Sequence, residues 1–179
     1  MNPDNFVHAV INASHDAPFF VSRFREAFLN YSSLVDMLDI NMSREAQDRV
    51  NLEREFYGRE VMNTIACEGL ERVERPETYK QWQARNMRAG FKMLPLKQEM
   101  LKKIRGKVKE GGYHEDFVIN EDSQWMLQGW RRRIFCASSC WVCQQQLKEA
   151  VISYWIVKPL MIPLWKFQSL MSECAALVA

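Results

Sequence analysis

Glycine is scarce in this sequence, seven residues in 179, and none of them is gathered into a loop that could cradle a phosphate or a dinucleotide. That removes the plainest signature of a nucleotide-dependent enzyme. Long apolar runs are missing too. A membrane-spanning helix wants about 20 predominantly apolar residues, and the most apolar stretch, Ala150 to Phe167, is interrupted by Lys158, Pro159, Pro163 and Lys166. No basic segment followed by an apolar one opens the chain, so no secretory signal is expected. Cysteines number five, an odd count, which fits free thiols in a reducing compartment better than a disulfide framework. Internal repeats, low-complexity tracts and the spacings of zinc fingers or helix-turn-helix units are absent as well.

What is present is the composition of an ordinary globular domain, 47% hydrophobic and 12% aromatic, enough apolar surface for one real core. The net charge of +2 hides an uneven layout. Asp36 to Glu77 carries eleven acids against six bases, whereas Lys80 to Lys109 carries ten bases and a single acid, Glu99. One acidic and one basic face are expected.

FVHAVINAS, residues 6 to 14, is short, apolar and β-branched, which predicts a strand buried on both sides as in a parallel sheet. Pro18 suits the first position of a following helix, with Asp16 as its cap. Phe20, Phe24, Ala27, Phe28, Tyr31, Leu34, Val35 and Leu38 recur at helical spacing and predict its buried face. A longer helix is predicted from Ser43, as cap, to about Glu68, with Glu45/Arg49 and Glu55/Arg59 as pairs four apart. A third helix runs from about Thr78 to Arg88, FKMLPL forms a short strand, and Lys97 to Lys109 forms a basic amphipathic helix. FVINE, QWMLQG and RIFCASSCWV then read as three antiparallel strands. The expected fold class is α/β, a mixed sheet with flanking helices and a C-terminal antiparallel meander.

Three local patterns are candidate sites. CASSCWVC places Cys136, Cys140 and Cys143 at a spacing that can hold an iron–sulfur cluster when the loop curls. On a strand, however, Cys136 and Cys140 share one face and Cys143 takes the other, spread over about 23 Å, so convergence is not expected. Ser14, His15 and Asp16 stand where a doubly wound sheet would open a ligand crevice, against the blander reading of Asp16 as a cap. Lys97, Lys102, Lys103, Arg105, Lys107 and Lys109 form either a phosphate-contacting surface with a nuclear-import patch in KKIR, or a solvated helix face. No cofactor or metal is assigned by any of these patterns.

From about Asn2 to Val142 the residues follow a further order. Pro18 is followed by Phe56 and Tyr57, then Arg59 and Glu60; Arg72 and Glu77 make an R-x4-E pair; Trp82 and Gly90 make W-x7-G; Trp130 and Trp141 make W-x10-W, with Ser139-Cys140-Trp141 at the close. This order resembles the C-terminal part of the GRAS domain, with its PFYRE and SAW motifs, in the plant family of Scarecrow-like and DELLA-type transcriptional regulators, and most of all the Scarecrow-like subgroup. Where the family's SAW motif usually has alanine, Cys140 stands, and a buried free cysteine behaves as a small hydrophobe.

The resemblance implies a Rossmann-like core related to S-adenosylmethionine-dependent methyltransferases, a nuclear location, and transcriptional regulation through other regulators, GRAS proteins among them, and in some members through DNA. It implies no catalysis, no cofactor and no membrane. The motif residues are expected to be mainly structural, with Arg59 and Glu60 anchoring a salt-bridge network between helix and sheet and the tryptophans in the core. The alternative reading is a small S-adenosylmethionine-dependent or methyltransferase-like enzyme. The family's leucine-rich regions and VHIID motif would precede Met1, so a truncated domain over 1–142 is expected, followed by a tail over 143–179 without family character and with an aggregation-prone apolar composition.

Overall fold

The computed structural model describes residues 5–143, and the strand-forming runs within them assemble into one five-stranded sheet. Its strands are β1 (Phe6–Ile11), β2 (Phe91–Met93), β3 (Phe117–Asp122), β4 (Trp125–Trp130) and β5 (Arg133–Cys143). The helices are α1 (Phe20–Asn41), α2 (Gln47–Asn51), α3 (Gly58–Ala66), α4 (Tyr79–Arg88) and α5 (Gln98–Glu110). A π-helical turn, Leu52–Tyr57, joins α2 to α3. The expectation for the tail lies outside the described residues, except that Cys143 belongs to β5 and pairs with Phe91 of β2.

The order across the sheet is β1-β5-β4-β3, and every pairing among the described residues is antiparallel. The predicted meander is present. The parallel setting predicted for the first strand is not: β1 lies antiparallel against β5, Phe6 opposite Trp141 and Ile11 opposite Cys136. A short β-branched run marks a strand but carries no information on its direction of pairing, which is decided here by a partner far along the chain. Trp141 pairs with both Phe6 and Met93, so β2 lies across β5 from β1, in line with β4.

Successive strand residues point to opposite sides of the sheet, and each side is covered by helix. Val10, Trp125, Leu127, Ala137 and Trp141 form one core cluster, with Tyr79 and Trp82 of α4 against it. On the other face, Trp130, Phe135 and Cys136 pack with Leu34, Met37 and Leu38 of α1 and Tyr57 of the π-helical turn, and Met126 and Ile119 pack with Leu101 and Ile104 of α5. Helices on both faces of one sheet make the chain α/β, as expected.

Two irregularities set the geometry of the sheet. Gln128 pairs with Cys136 but Gly129 pairs with Ile134, which leaves Phe135 as the extra residue of a β-bulge and turns it into the α1 cluster. The turn from β3 to β4 uses Ser123 and Gln124, both with positive φ (50° and 70°), the backbone sense that matches the twist of a two-residue hairpin.

α1 departs from its predicted face. Its buried side is Arg23, Ala27, Asn30, Leu34, Met37 and Leu38, while Phe20, Phe24, Phe28 and Val35 are exposed. Ala27, Leu34 and Leu38 are buried as predicted, but two further buried positions are polar, so an apolar count displaces the stripe toward Phe20, Phe24 and Phe28. No side chain caps α1: Asp16 accepts a hydrogen bond from Gln81 Nε2 at 2.7 Å, and Pro18 lies two residues before the first helical one. Ser43 is likewise no cap, since α2 begins at Gln47 after Ala46. α4 starts as predicted, with Thr78 and Gln81 in a reciprocal capping box.

Candidate functional site

The π-helical turn inserts extra residues per turn just where Phe56 and Tyr57 stand, and it swings the Tyr57 ring inward. Tyr57 is buried against Tyr31 of α1, with ring centroids 6.2 Å apart, and Phe56 packs edge-on to it at 5.6 Å. One turn later Arg59 and Glu60 part company, because adjacent helical residues point about 100° apart. Arg59 is exposed and donates to Glu55 Oε2 at 2.7 Å, the predicted pair four apart. Glu60 turns inward, where Tyr31 donates its hydroxyl proton to Glu60 Oε2 at 3.2 Å. The expected salt-bridge network between helix and sheet, anchored by both residues, is therefore corrected. Arg59 ties only its own helix, and Glu60 has no ion pair among the described residues. Burial raises the Glu60 carboxyl to about 7, with the Glu74 charge adding to it and the Tyr31 hydrogen bond opposing it.

The second predicted pair along this helix is rewired as well. Arg49 donates to Asp39 at 2.5 Å and to Glu53 at 2.8 Å, while Glu45 is engaged by Ser43. Arg44 also holds Asp39, and these two guanidinium groups bring the Asp39 carboxyl down to about 2. Much of the acidic segment is thus neutralised by its own arginines.

Beyond β1 the chain runs through His15 into a set of buried cations. Arg23 is 1% exposed and donates to the carbonyls of Ala17, Pro18 and Thr64 and to Glu68. Arg72, also buried, donates to the His15 carbonyl at 3.2 Å, and Glu77 accepts from Arg85, so the members of the R-x4-E pair hold different partners. Burial, followed by the charges of Arg23 and Arg75, lowers the Arg72 guanidinium from its ordinary value. His15 itself is fully enclosed and does not front an open crevice with Asp16.

The aromatic residues of the resemblance line the core. Trp82 meets His8 edge-on at 5.1 Å. Trp130 donates to Asp36 at 2.6 Å, and Trp141 donates to Ser139 Oγ at 2.8 Å; both indoles are essentially buried. Gly90, with φ of +83°, makes the sharp turn from α4 into β2. β5 runs unbroken through Cys136, Cys140 and Cys143, so Cys136 and Cys140 share one side, Cys143 takes the other, and the sulfurs spread along the strand. Burial pushes the Cys136 thiol up to about 12, which keeps it protonated. Among the described residues no group of three or more His, Cys, Asp or Glu could hold a metal ion, and no helix is long and apolar enough to cross a membrane.

The predicted basic residues are all on α5 or at its cap. Lys97 is the cap, Leu101 and Ile104 are buried against the sheet, and Lys102, Lys103, Arg105 and Lys109 are exposed. At about 100° per residue, Lys102, Arg105 and Lys109 share one flank and Lys103 and Lys107 the other. Arg105 also donates to the Ile119 carbonyl at 3.2 Å, pinning the helix to β3.

Sequence reasoning missed the grouping of His15, Asn30, Tyr31 and Glu60 around one small cavity. Part of the signal was available. Tyr57, Glu60 and Thr64 share a helix face at spacings of three and four, so a carboxylate on an otherwise buried stripe marks an unusual position. The approach of His15 from another element was not available.

The similarity of the chain to known proteins covers this same region. The GRAS domain family model matches residues 1–142. Over 142 residues the chain is 58% identical to Scarecrow-like protein 34 and 56% identical to Scarecrow-like protein 31 of Arabidopsis thaliana, covering 79% of this chain and 22% and 20% of theirs. GRAS family protein RAD1 of Lotus japonicus is 32% identical over 146 residues, 80% of this chain and 28% of its own. Among solved structures, SCL7 of Oryza sativa superposes with a TM-score of 0.70 at 25% identity, over 78% of this chain and 39% of that one. The chain thus spans about a fifth of the length of the Arabidopsis relatives it matches. With a fold shared with SCL7, and a family model and close relatives that agree on the same stretch, the chain belongs to the GRAS domain family.

Proposed function

We propose that this chain is part of a nuclear transcriptional regulator that works by binding, through contacts with other regulators, GRAS proteins included, and through phosphate contacts of the α5 face with DNA, without catalysis of its own. Family membership supports the regulatory role. The observation that carries the DNA contact is the division of α5: its apolar residues are spent on the sheet, while Lys97, Lys102, Lys103 and Lys109 point outward with no ion pair among the described residues. Lysine ammonium groups so presented act as point charges for phosphate, with no base-reading geometry, so the contact contributes affinity more than sequence choice.

Binding of a short fluorescent duplex followed by anisotropy at increasing salt tests the reading. Each neutralised phosphate adds about 0.9 to the slope of log affinity against log salt, so reversing Lys102 and Lys103 together (K102E, K103E) is expected to flatten that slope by about two units. An unchanged slope, or no binding even at low salt, would overturn the DNA contact.

A further inference from the structure

Three elements bring polar side chains to one small, partly open pocket: the segment after β1, the middle of α1, and α3. The space is about 10 Å³, close to the room a single water needs. Its polar lining is His15, Asn30, Tyr31 and Glu60, and Leu34 and Phe135 close the apolar side. His15 is 1% exposed, yet neither ring nitrogen finds a hydrogen-bond partner among the described residues. Its ring stacks on Tyr31 with centroids 5.7 Å apart, and the Tyr31 hydroxyl is bonded to Glu60. Buried polar atoms of folded proteins are nearly always paired, with protein or with ordered water.

We propose that this cavity is a water site in which one ordered water joins the His15 imidazole to the Glu60 carboxyl, and that the seam between α1 and α3 is closed while Glu60 carries its proton and loosens when the proton is lost. A protonated Glu60 offers a donor and an acceptor and brings no charge into an apolar space. A carboxylate there would stand unpaired. The groups acting on Glu60 are Tyr31 of α1 and Glu74 of the loop after α3, and no cation is among them. Tyr57, whose own ionisation is suppressed by burial and by Glu60, packs against Tyr31.

Burial lowers the His15 imidazole and Arg133 of β5 adds to this, while Glu26 of α1 and its neighbour Asp16 oppose it. The ring is therefore neutral, with one donating and one accepting nitrogen, the two roles a bridging water can satisfy. The direction of the pH dependence follows from the raised Glu60 carboxyl. The folded chain holds a proton that the unfolded chain has already released, so the stabilisation is complete below the ordinary carboxyl range and is lost as pH rises through about 7.

The full chain carries the test. Carbon-detected NMR of the Glu60 carboxyl is expected to titrate near neutrality, and a midpoint in the ordinary carboxylate range would overturn the proposal. In urea, the ratio of the wild-type unfolding equilibrium constant to that of Glu60→Gln, neutral at every pH, is expected to rise at least about tenfold between about pH 5.5 and pH 8; the lowered His8 and His15 act in the opposite direction but are common to both chains and cancel in the ratio. Parallel curves would count against it. Should Glu60→Gln fail to fold, the wild-type NMR titration still decides. A high-resolution crystal structure on the acid side is expected to show a water within hydrogen-bond distance of both His15 and Glu60; a dry cavity would remove the bridge.

Discussion

Arg59 and Glu60 show how much a side chain's worth depends on which way its helix turns it. The Arg59 side chain is 77% exposed and holds a single partner on the same helix, where an ion pair gains little over solvation. Arg59→Ala is therefore expected to change unfolding free energy by less than about 0.5 kcal/mol. Trp130 is the contrasting case. Its indole is buried and donates to the Asp36 carboxylate at 2.6 Å, and hydrogen bonds to charged groups contribute about 1.5–3 kcal/mol. Trp130→Phe keeps most of the ring but removes the donor, so urea denaturation should report a loss of that size or somewhat more. Equal effects of the two substitutions would contradict this account.

At the scale of elements, β4 and β5 are joined through a bulge that a side chain would fill. A Cβ on Gly129 would meet the Arg133 carbonyl oxygen at 1.9 Å and the Ile134 Cα at 2.9 Å. Both are backbone atoms at the centre of the sheet and cannot swing aside. Gly129→Ala is expected to cost at least about 3 kcal/mol or to prevent folding, which thermal unfolding followed by circular dichroism would show; a variant with the wild-type midpoint would mean the bulge can slide. Existence and type of most elements were readable beforehand: the helices by their periodicity, and the three final strands by their residue types and the turns between them. Pairing direction and the bulge were not, because both depend on which strand arrives alongside. The π-helical turn at Leu52–Tyr57 was equally hidden, since its sequence reads as continuous helix.

Across the whole molecule, one apolar face is left open. Phe20, Phe24 and Phe28 follow one another along α1, with ring centroids 5.9 and 6.4 Å apart, and all three are exposed. Apolar patches of this kind drive association. Replacing Phe24 and Phe28 together with serine is expected to reduce concentration-dependent self-association in light scattering. The unfolding midpoint should move little, because neither side chain is buried in the core. A large drop in stability would place them inside the packing after all.

The order of chemical types along the chain was enough to establish an α/β domain with a C-terminal meander, a basic amphipathic helix at Lys97 to Lys109, and a likeness to the GRAS family, since these rest on periodicity and residue spacing. It could not establish the full buried face of α1, because Arg23 is carried inward by hydrogen bonds to the Thr64 carbonyl and Glu68, and Asn30, equally polar, is buried as well. Nor could it bring His15, Tyr31 and Glu60 together. Those residues come from three separate elements, and only the packing of α1 and α3 against the sheet forms the space in which a carboxyl is withdrawn from bulk solvent and its pKa raised to about 7.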